Sequence, residues 1–149
     1  MGKIILLAGG SGLIGTRLAE ILRAQQYSVR LLTRNPQGLN EFKWNPLKGE
    51  IDEAALQNVD YVVNLAGAGI ADKRWTASRK REIVESRVQA AGVLAEAFQK
   101  MPEKPKAYVS ASAIGYYGNS GERLMSETDA PVETTFMVEC CRQWEAAAD

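Results

Sequence analysis

Lys3-Ile4-Ile5-Leu6-Leu7-Ala8-Gly9-Gly10-Ser11-Gly12-Leu13-Ile14-Gly15 opens the chain. A short apolar run breaks into glycines and then resumes with helical spacing. It reads as a buried strand, a tight turn and the first turn of a helix. The glycines divide the work. Gly9 can take a backbone angle that a side chain would forbid. Gly12 leaves room for a phosphate to approach the main chain, and Gly15 lets the helix pack closely on the strand. The helix N-terminus offers unpaired N–H groups and a partial positive charge to a pyrophosphate. The spacing is Gly-x-x-Gly-x-x-Gly rather than the commoner Gly-x-Gly-x-x-Gly.

Working outward, residues 13–26 continue as a helix, with Leu13, Ile14, Leu18, Ile21 and Leu22 on one face. Val29, Leu31 and Leu32 give a second strand. Strand, helix and strand fit into about 30 residues, the size of a βαβ unit with parallel strands and a right-handed crossover. A dinucleotide unit that prefers NAD places an acid on the ribose 2′-hydroxyl roughly 20 residues after the glycines. Here the strand ends Leu32-Thr33-Arg34-Asn35-Pro36. Arg34 can pair with a 2′-phosphate, and Thr33 can add a hydroxyl bond. NADP is therefore expected, with NAD the second choice.

Residues 36–58 read as loop, a short strand near Phe42–Trp44 and a short helix around Asp52–Leu56, with Trp44 a core anchor. Residues 60–67 are the next buried strand. Its small end, Leu65-Ala66-Gly67, suits a crevice at strand C-termini. A glycine-rich loop, 67–75, precedes a long helix capped by Thr76 and reaching about Lys100. Val84, Val88, Ala91, Ala95 and Phe98 form its apolar stripe. Lys80 and Arg87 fall within or beside that stripe, facing either a bound anion or carboxylates at the crevice, or reaching past the core edge into water. A fifth strand, 107–112, leads into Ala113–Gly118. Ser112, four residues before Tyr116, is placed to hold a substrate hydroxyl or carbonyl. Residues 119–133 are polar loop. A last helix starts at Thr134 or Thr135 and carries Phe136, Met137, Cys140, Cys141 and Trp144 on its apolar face.

The chain has 149 residues, the size of one domain, with 18 basic and 18 acidic side chains. Zero net charge gives no general attraction to nucleic acid or an anionic membrane. No apolar run approaches the ~20 residues of a membrane helix, and no leader peptide is recognisable. The two cysteines are adjacent, which fits a reducing cytoplasm. There is no histidine. That excludes histidine triads and histidine-ligated metals, and no metal is expected.

The glycine turn, Thr33-Arg34, Asn64–Gly67, Arg74-Trp75 followed by Lys80 and Ser86-Arg87, and Ser112–Gly118 together resemble the extended short-chain dehydrogenase/reductase superfamily. The likeness is to its NAD(P)-dependent epimerase/dehydratase branch, in the atypical subgroup of sugar-nucleotide epimerases. It spans nearly the whole chain. The resemblance implies an α/β fold, a Rossmann-like doubly wound parallel sheet in strand order 3-2-1-4-5 with helices on both faces. It implies NADP over the strand ends, touching Gly9, Ser11, Gly12, Leu13, Ile14, Gly15, Thr33, Arg34, Leu65, Ala66, Gly67, Glu82 and Arg87. Ser112 matches the family's catalytic serine or threonine. The implied substrate is a small molecule, a nucleotide sugar or a carbonyl compound, converted by hydride transfer.

One departure bears on chemistry. The superfamily carries Tyr-x-x-x-Lys on the helix after the fifth strand, the lysine lowering the tyrosine pKa. Aligned on Trp144-Glu145, those positions hold Met137 and Cys141. Tyr116 or Tyr117 is then the remaining phenol, with no lysine placed to activate it. Two functions stay open: an oxidoreductase or epimerase, and a non-catalytic NADP(H)-sensing protein. Family members also run roughly twice as long. Residues 1–149 are expected to be the cofactor domain of that longer architecture, without its substrate domain. Uncovered apolar surface on the fifth strand and last helix would favour a homodimer.

Overall fold

A computed structural model describes residues 2–149. Five parallel strands form its centre: β1 (Ile4–Ala8), β2 (Ser28–Thr33), β3 (Glu41–Asn45), β5 (Tyr61–Asn64) and β6 (Ala107–Ser110). A short β4 (Glu50–Ile51) pairs antiparallel with β3 at the edge. The sheet order is β4-β3-β2-β1-β5-β6. Its five parallel strands thus follow the expected 3-2-1-4-5, and the antiparallel edge is an addition. β4 has only two residues, between the turn at Gly49 and the capped turn that follows Asp52. It is too short to show alternation.

Strand alternation sends side chains to two cores. Leu6 and Ala8 join Leu32, Trp44 and Val62 under α2 (Ala77–Lys100), while Leu7 and Val29 pack under Ala19 of α1 (Leu13–Ala24). Helices therefore lie on both faces. Trp44 is the core anchor expected of it, at 5% exposure.

Three sequence expectations need correction. Leu13 and Ile14 do not face the core. They are 92% and 70% exposed, and Ile21 is exposed as well. Gly15 and Ala19 are the buried residues of α1, with Leu18 and Leu22 packed beside them, and at Gly15 the Gly9–Gly10 turn lies too close for any side chain. On α2 the buried stripe is Ile83, Ala90, Ala91, Val93, Leu94 and Ala97. Val84 and Val88 only flank it, and Ala95 is exposed. Alanines let the helix settle close to the sheet, and burial follows that closeness more than side-chain size. β6 ends at Ser110, so Ser112 belongs to the loop beyond it. The last helix, α3 (Phe136–Ala146), is capped by Thr135 and packs on α2. It buries Val138, Cys140, Cys141 and Trp144, while Phe136 and Met137 are half-buried.

Candidate functional site

Strand register collects the singled-out residues along one edge. Ala8 is level with Leu32 and Asn64, and Asn64 with Ser110. The glycine turn, Arg34, Leu65–Gly67 and the Ser112 loop all leave the sheet from that row. The chain order reverses between β1 and β5, where sheets of this type form their ligand crevice.

The turn is built to bring backbone close to backbone. Gly9 has φ +79°, and a Cβ there would lie 2.7 Å from the Leu65 carbonyl. A Cβ on Gly15 would lie 2.2 Å from Gly9 O. Thr16 Oγ1 donates to Gly10 O at 3.2 Å and pins the turn to the helix. Gly12 is the N-cap of α1, so no side chain caps the first turn, and that turn carries no acid. Its N–H groups have no intrahelical acceptors. A Cβ on Gly12 would meet nothing nearer than 3.5 Å, so its outer side is open. Exposed Ser11, Leu13 and Ile14 form the lip. A cradle with uncapped donors, no acid and open space fits a pyrophosphate.

A cavity of about 400 Å³ runs from Gly10 and Ser11 to Thr33 and Asn35. Arg34 projects beside it, exposed and without an ion pair among the described residues. Thr33 Oγ1 accepts from Asn35 N at 3.3 Å and holds this exit in a turn. A larger concavity, about 1270 Å³, lies at the opposite end of the sheet around Lys3, Asp60 and Lys106, away from these residues.

Across the switch point, Asn64 is fully buried. Its Oδ1 accepts from Ala66 N at 3.1 Å and its Nδ2 donates to Tyr108 Oη at 3.2 Å, fixing the exit of β5. The loop that follows is tied to α2. Ser86 Oγ accepts from Ala68 N at 3.0 Å, and Arg87 Nη1 donates to Ala68 O at 3.1 Å and Ile83 O at 2.9 Å. The Arg87 guanidinium lies 4.9 Å from the Trp144 ring centre, and burial lowers its pKa. Its direct partners are thus one loop carbonyl, one carbonyl of its own helix and an aromatic face, with no carboxylate among them. Lys80 stands over Phe136, 5.1 Å from its ring centre. Glu82 is exposed and pairs with Arg79 at 2.7 Å, which holds its carboxyl below the usual range.

Arg79 is the residue that sequence reading passed over. It is 7% exposed, donates to Gly69 O at 2.5 Å and faces Asp72 at 3.6 Å. Of the three cations near the start of α2, Arg79 is the buried one. Its place in a basic run, Arg79-Lys80-Arg81, gave no sign of that.

Ser112 is exposed, and its hydroxyl donates to Glu145 Oε1. Met137 and Cys141 sit against the Ala113–Gly115 turn. A Cβ on Gly115 would touch Met137 at 3.5 Å, and Cys141 Sγ is 3.8 Å from Ala113 O. Tyr116 and Tyr117 stack edge to face at 5.3 Å. Burial, and then the charges of Glu127, Asp129 and Glu145, raise the Tyr117 pKa. That runs against the lysine-lowered phenol of the superfamily. Among the described residues no group of three His, Cys, Asp or Glu could hold a metal. No described helix is long and apolar enough to cross a membrane.

The fold and crevice define a Rossmann-type domain with the glycine turn of dinucleotide-binding proteins. The chain belongs to the NAD dependent epimerase/dehydratase family, whose model matches residues 5–137. It is 39% identical over 145 residues to an epimerase family protein of Mycobacterium leprae, covering 97% of this chain and 46% of that one. The crystal structure of human epimerase family protein SDR39U1 (isoform 2) with NADPH superposes with a TM-score of 0.86 at 34% identity, over 98% of this chain and 48% of that one. The nucleoside-diphosphate sugar epimerase of Corynebacterium glutamicum does so at 0.82 and 30% identity, over 99% and 30%. The chain spans about half the length of the curated relatives it matches.

Proposed function

We propose that this chain binds NADP(H) along the strand ends and forms the cofactor half of an oxidoreductase or epimerase acting on a small hydroxyl- or carbonyl-bearing molecule, such as a nucleotide sugar. The observation that carries the reading is the uncapped, acid-free α1 N-terminus behind Gly9 and Gly15, with Arg34, which makes no ion pair among the described residues, at the neighbouring strand end. The NADPH in the human relative supports it. The first turn of α1 would take the pyrophosphate, and Arg34 with Thr33 the 2′-phosphate. Leu65–Gly67 would lie along the ribose on the nicotinamide side, and Arg87 would hold the adjoining loop. When bound, the nicotinamide supplies or accepts a hydride. Ser112 would orient the substrate oxygen, and the Tyr117 phenol would donate a hydrogen bond.

Titration with NADPH and NADH tests this. Arg34→Ala should weaken NADPH binding by about 1.5–3 kcal/mol, the loss of a hydrogen bond to a charged group, and leave NADH nearly unchanged. Equal loss for both cofactors would show that Arg34 does not read the 2′-phosphate. A second reading, an NADP(H) sensor without turnover, is favoured by Met137 and Cys141. Neither side chain can exchange a proton as tyrosine and lysine do. Binding without turnover, unaffected by Ser112→Ala, would select it.

A further inference from the structure

Positions 137, 141 and 145 repeat every fourth residue on α3. Met137 packs on Gly115, and Cys141 reaches the carbonyl of Ala113. Glu145 continues the row into the Ser112 hydroxyl. Met137 has no titratable group, and the Cys141 thiol is buried and pushed up by that burial. Only Glu145 in this row brings proton chemistry to the strand end. Its carboxylate is half-buried and makes no ion pair among the described residues. Tyr117, Glu127 and Asp129 face the same region, and Asp129 is paired with Arg123 at 2.6 Å.

We propose that Glu145 is the proton-accepting partner of Ser112, and that this serine–carboxylate pair handles the substrate hydroxyl proton where Met137 and Cys141 leave no phenol–ammonium pair. The inference rests on the function proposed above. In the oxidative direction the substrate O–H bond breaks and its proton passes to Ser112 Oγ. The Ser112 hydroxyl proton passes to Glu145. The substrate C–H bond breaks, and its hydrogen leaves with the electron pair to the oxidised nicotinamide, the oxidant. The products are a carbonyl compound, reduced nicotinamide and a neutral Glu145. Reduction runs these steps backwards and returns the carboxylate. Glu145 acts through Ser112, so it is a positioning and relay residue.

Glu145→Gln tests the assignment, because it keeps an oxygen for Ser112 but cannot take a proton. Reduction of diacetyl by NADPH is the turnover probe. The expected result is unchanged NADPH affinity, unchanged KM for diacetyl and a kcat lower by about 10²–10⁴-fold, the usual contribution of a general acid or base. Glu145→Asp should recover part of the loss. A readout independent of turnover is the Tyr117 phenol, followed by NMR of isotope-labelled tyrosine. Glu145→Gln should lower its titration midpoint, and Glu139→Gln, on the exposed side of α3, should not. Unchanged kcat overturns the relay, and an unmoved Tyr117 overturns the placement of Glu145. NADPH binding without diacetyl reduction by the unsubstituted chain overturns the relay and leaves the cofactor reading standing. Absence of NADPH binding overturns the function beneath it.

Discussion

Gly15→Ala offers a quantitative test of the turn. The new methyl would lie 2.2 Å from Gly9 O and 2.7 Å from Gly10 Cα, whereas ordinary contact begins near 3.4 Å. Both obstructing atoms are turn backbone, so about an ångström of turn-to-helix movement is required. Overpacking of this kind costs about 1–3 kcal/mol, and rigid backbone puts the cost near the top of that range. Alanine returns about 1 kcal/mol in helix propensity. The net is a destabilisation of about 2 kcal/mol, or a Tm lowered by about 4–8 °C at this chain length. Gly92 on α2 is the matched control. A Cβ there meets nothing within 4 Å. Gly92→Ala should therefore stabilise by up to about 1 kcal/mol and raise Tm by about 2–4 °C. Thermal melts followed by circular dichroism read both. Displacing the turn should also abolish NADPH binding in Gly15→Ala and spare it in Gly92→Ala. A Gly15→Ala chain as stable as the unsubstituted one would refute the close approach on which the site depends.

Two further outcomes follow from the buried and paired groups. Asn64→Ala strands the Ala66 N–H and the Tyr108 hydroxyl, and should cost about 1–3 kcal/mol in chemical denaturation. Tyr108→Phe should cost less in that background than alone, a coupling that a double-mutant cycle measures. The Asp60 carboxyl is held below its usual range by the Lys106 ammonium and then by the Ile4 N–H, which donates at 2.8 Å. Its folded pKa is the depressed one. Its contribution is therefore present above the unfolded pKa and lost as pH falls through the folded value. Tm should fall on acidification below about pH 4. Asp60→Asn should lower Tm at neutral pH and flatten that acid limb.

The glycine turn was legible because its requirements are local. A strand, a glycine turn and a helix start lie within thirteen consecutive residues, Lys3 to Gly15. Arg34 follows directly on the next strand. Backbone sterics and peptide dipoles act over that span without help from the rest of the chain. The βαβ logic gave the parallel pairing of the first two strands, and the order of all five was what the family resemblance implied. Tertiary contact decided the rest. Ser112 and Glu145 are 33 residues apart and meet only because α3 folds back along the turn after β6. Arg79 is indistinguishable from Lys80 and Arg81 in sequence. Helix rotation makes it the buried cation, aimed at the carbonyl of Gly69. Leu13 and Ile14 look like core and are lip, since α1 meets the sheet through Gly15 and Ala19. Periodicity in sequence measures which side chains share a face. Which face is buried, and which charge stands beside which hydroxyl, depends on how closely neighbouring elements approach.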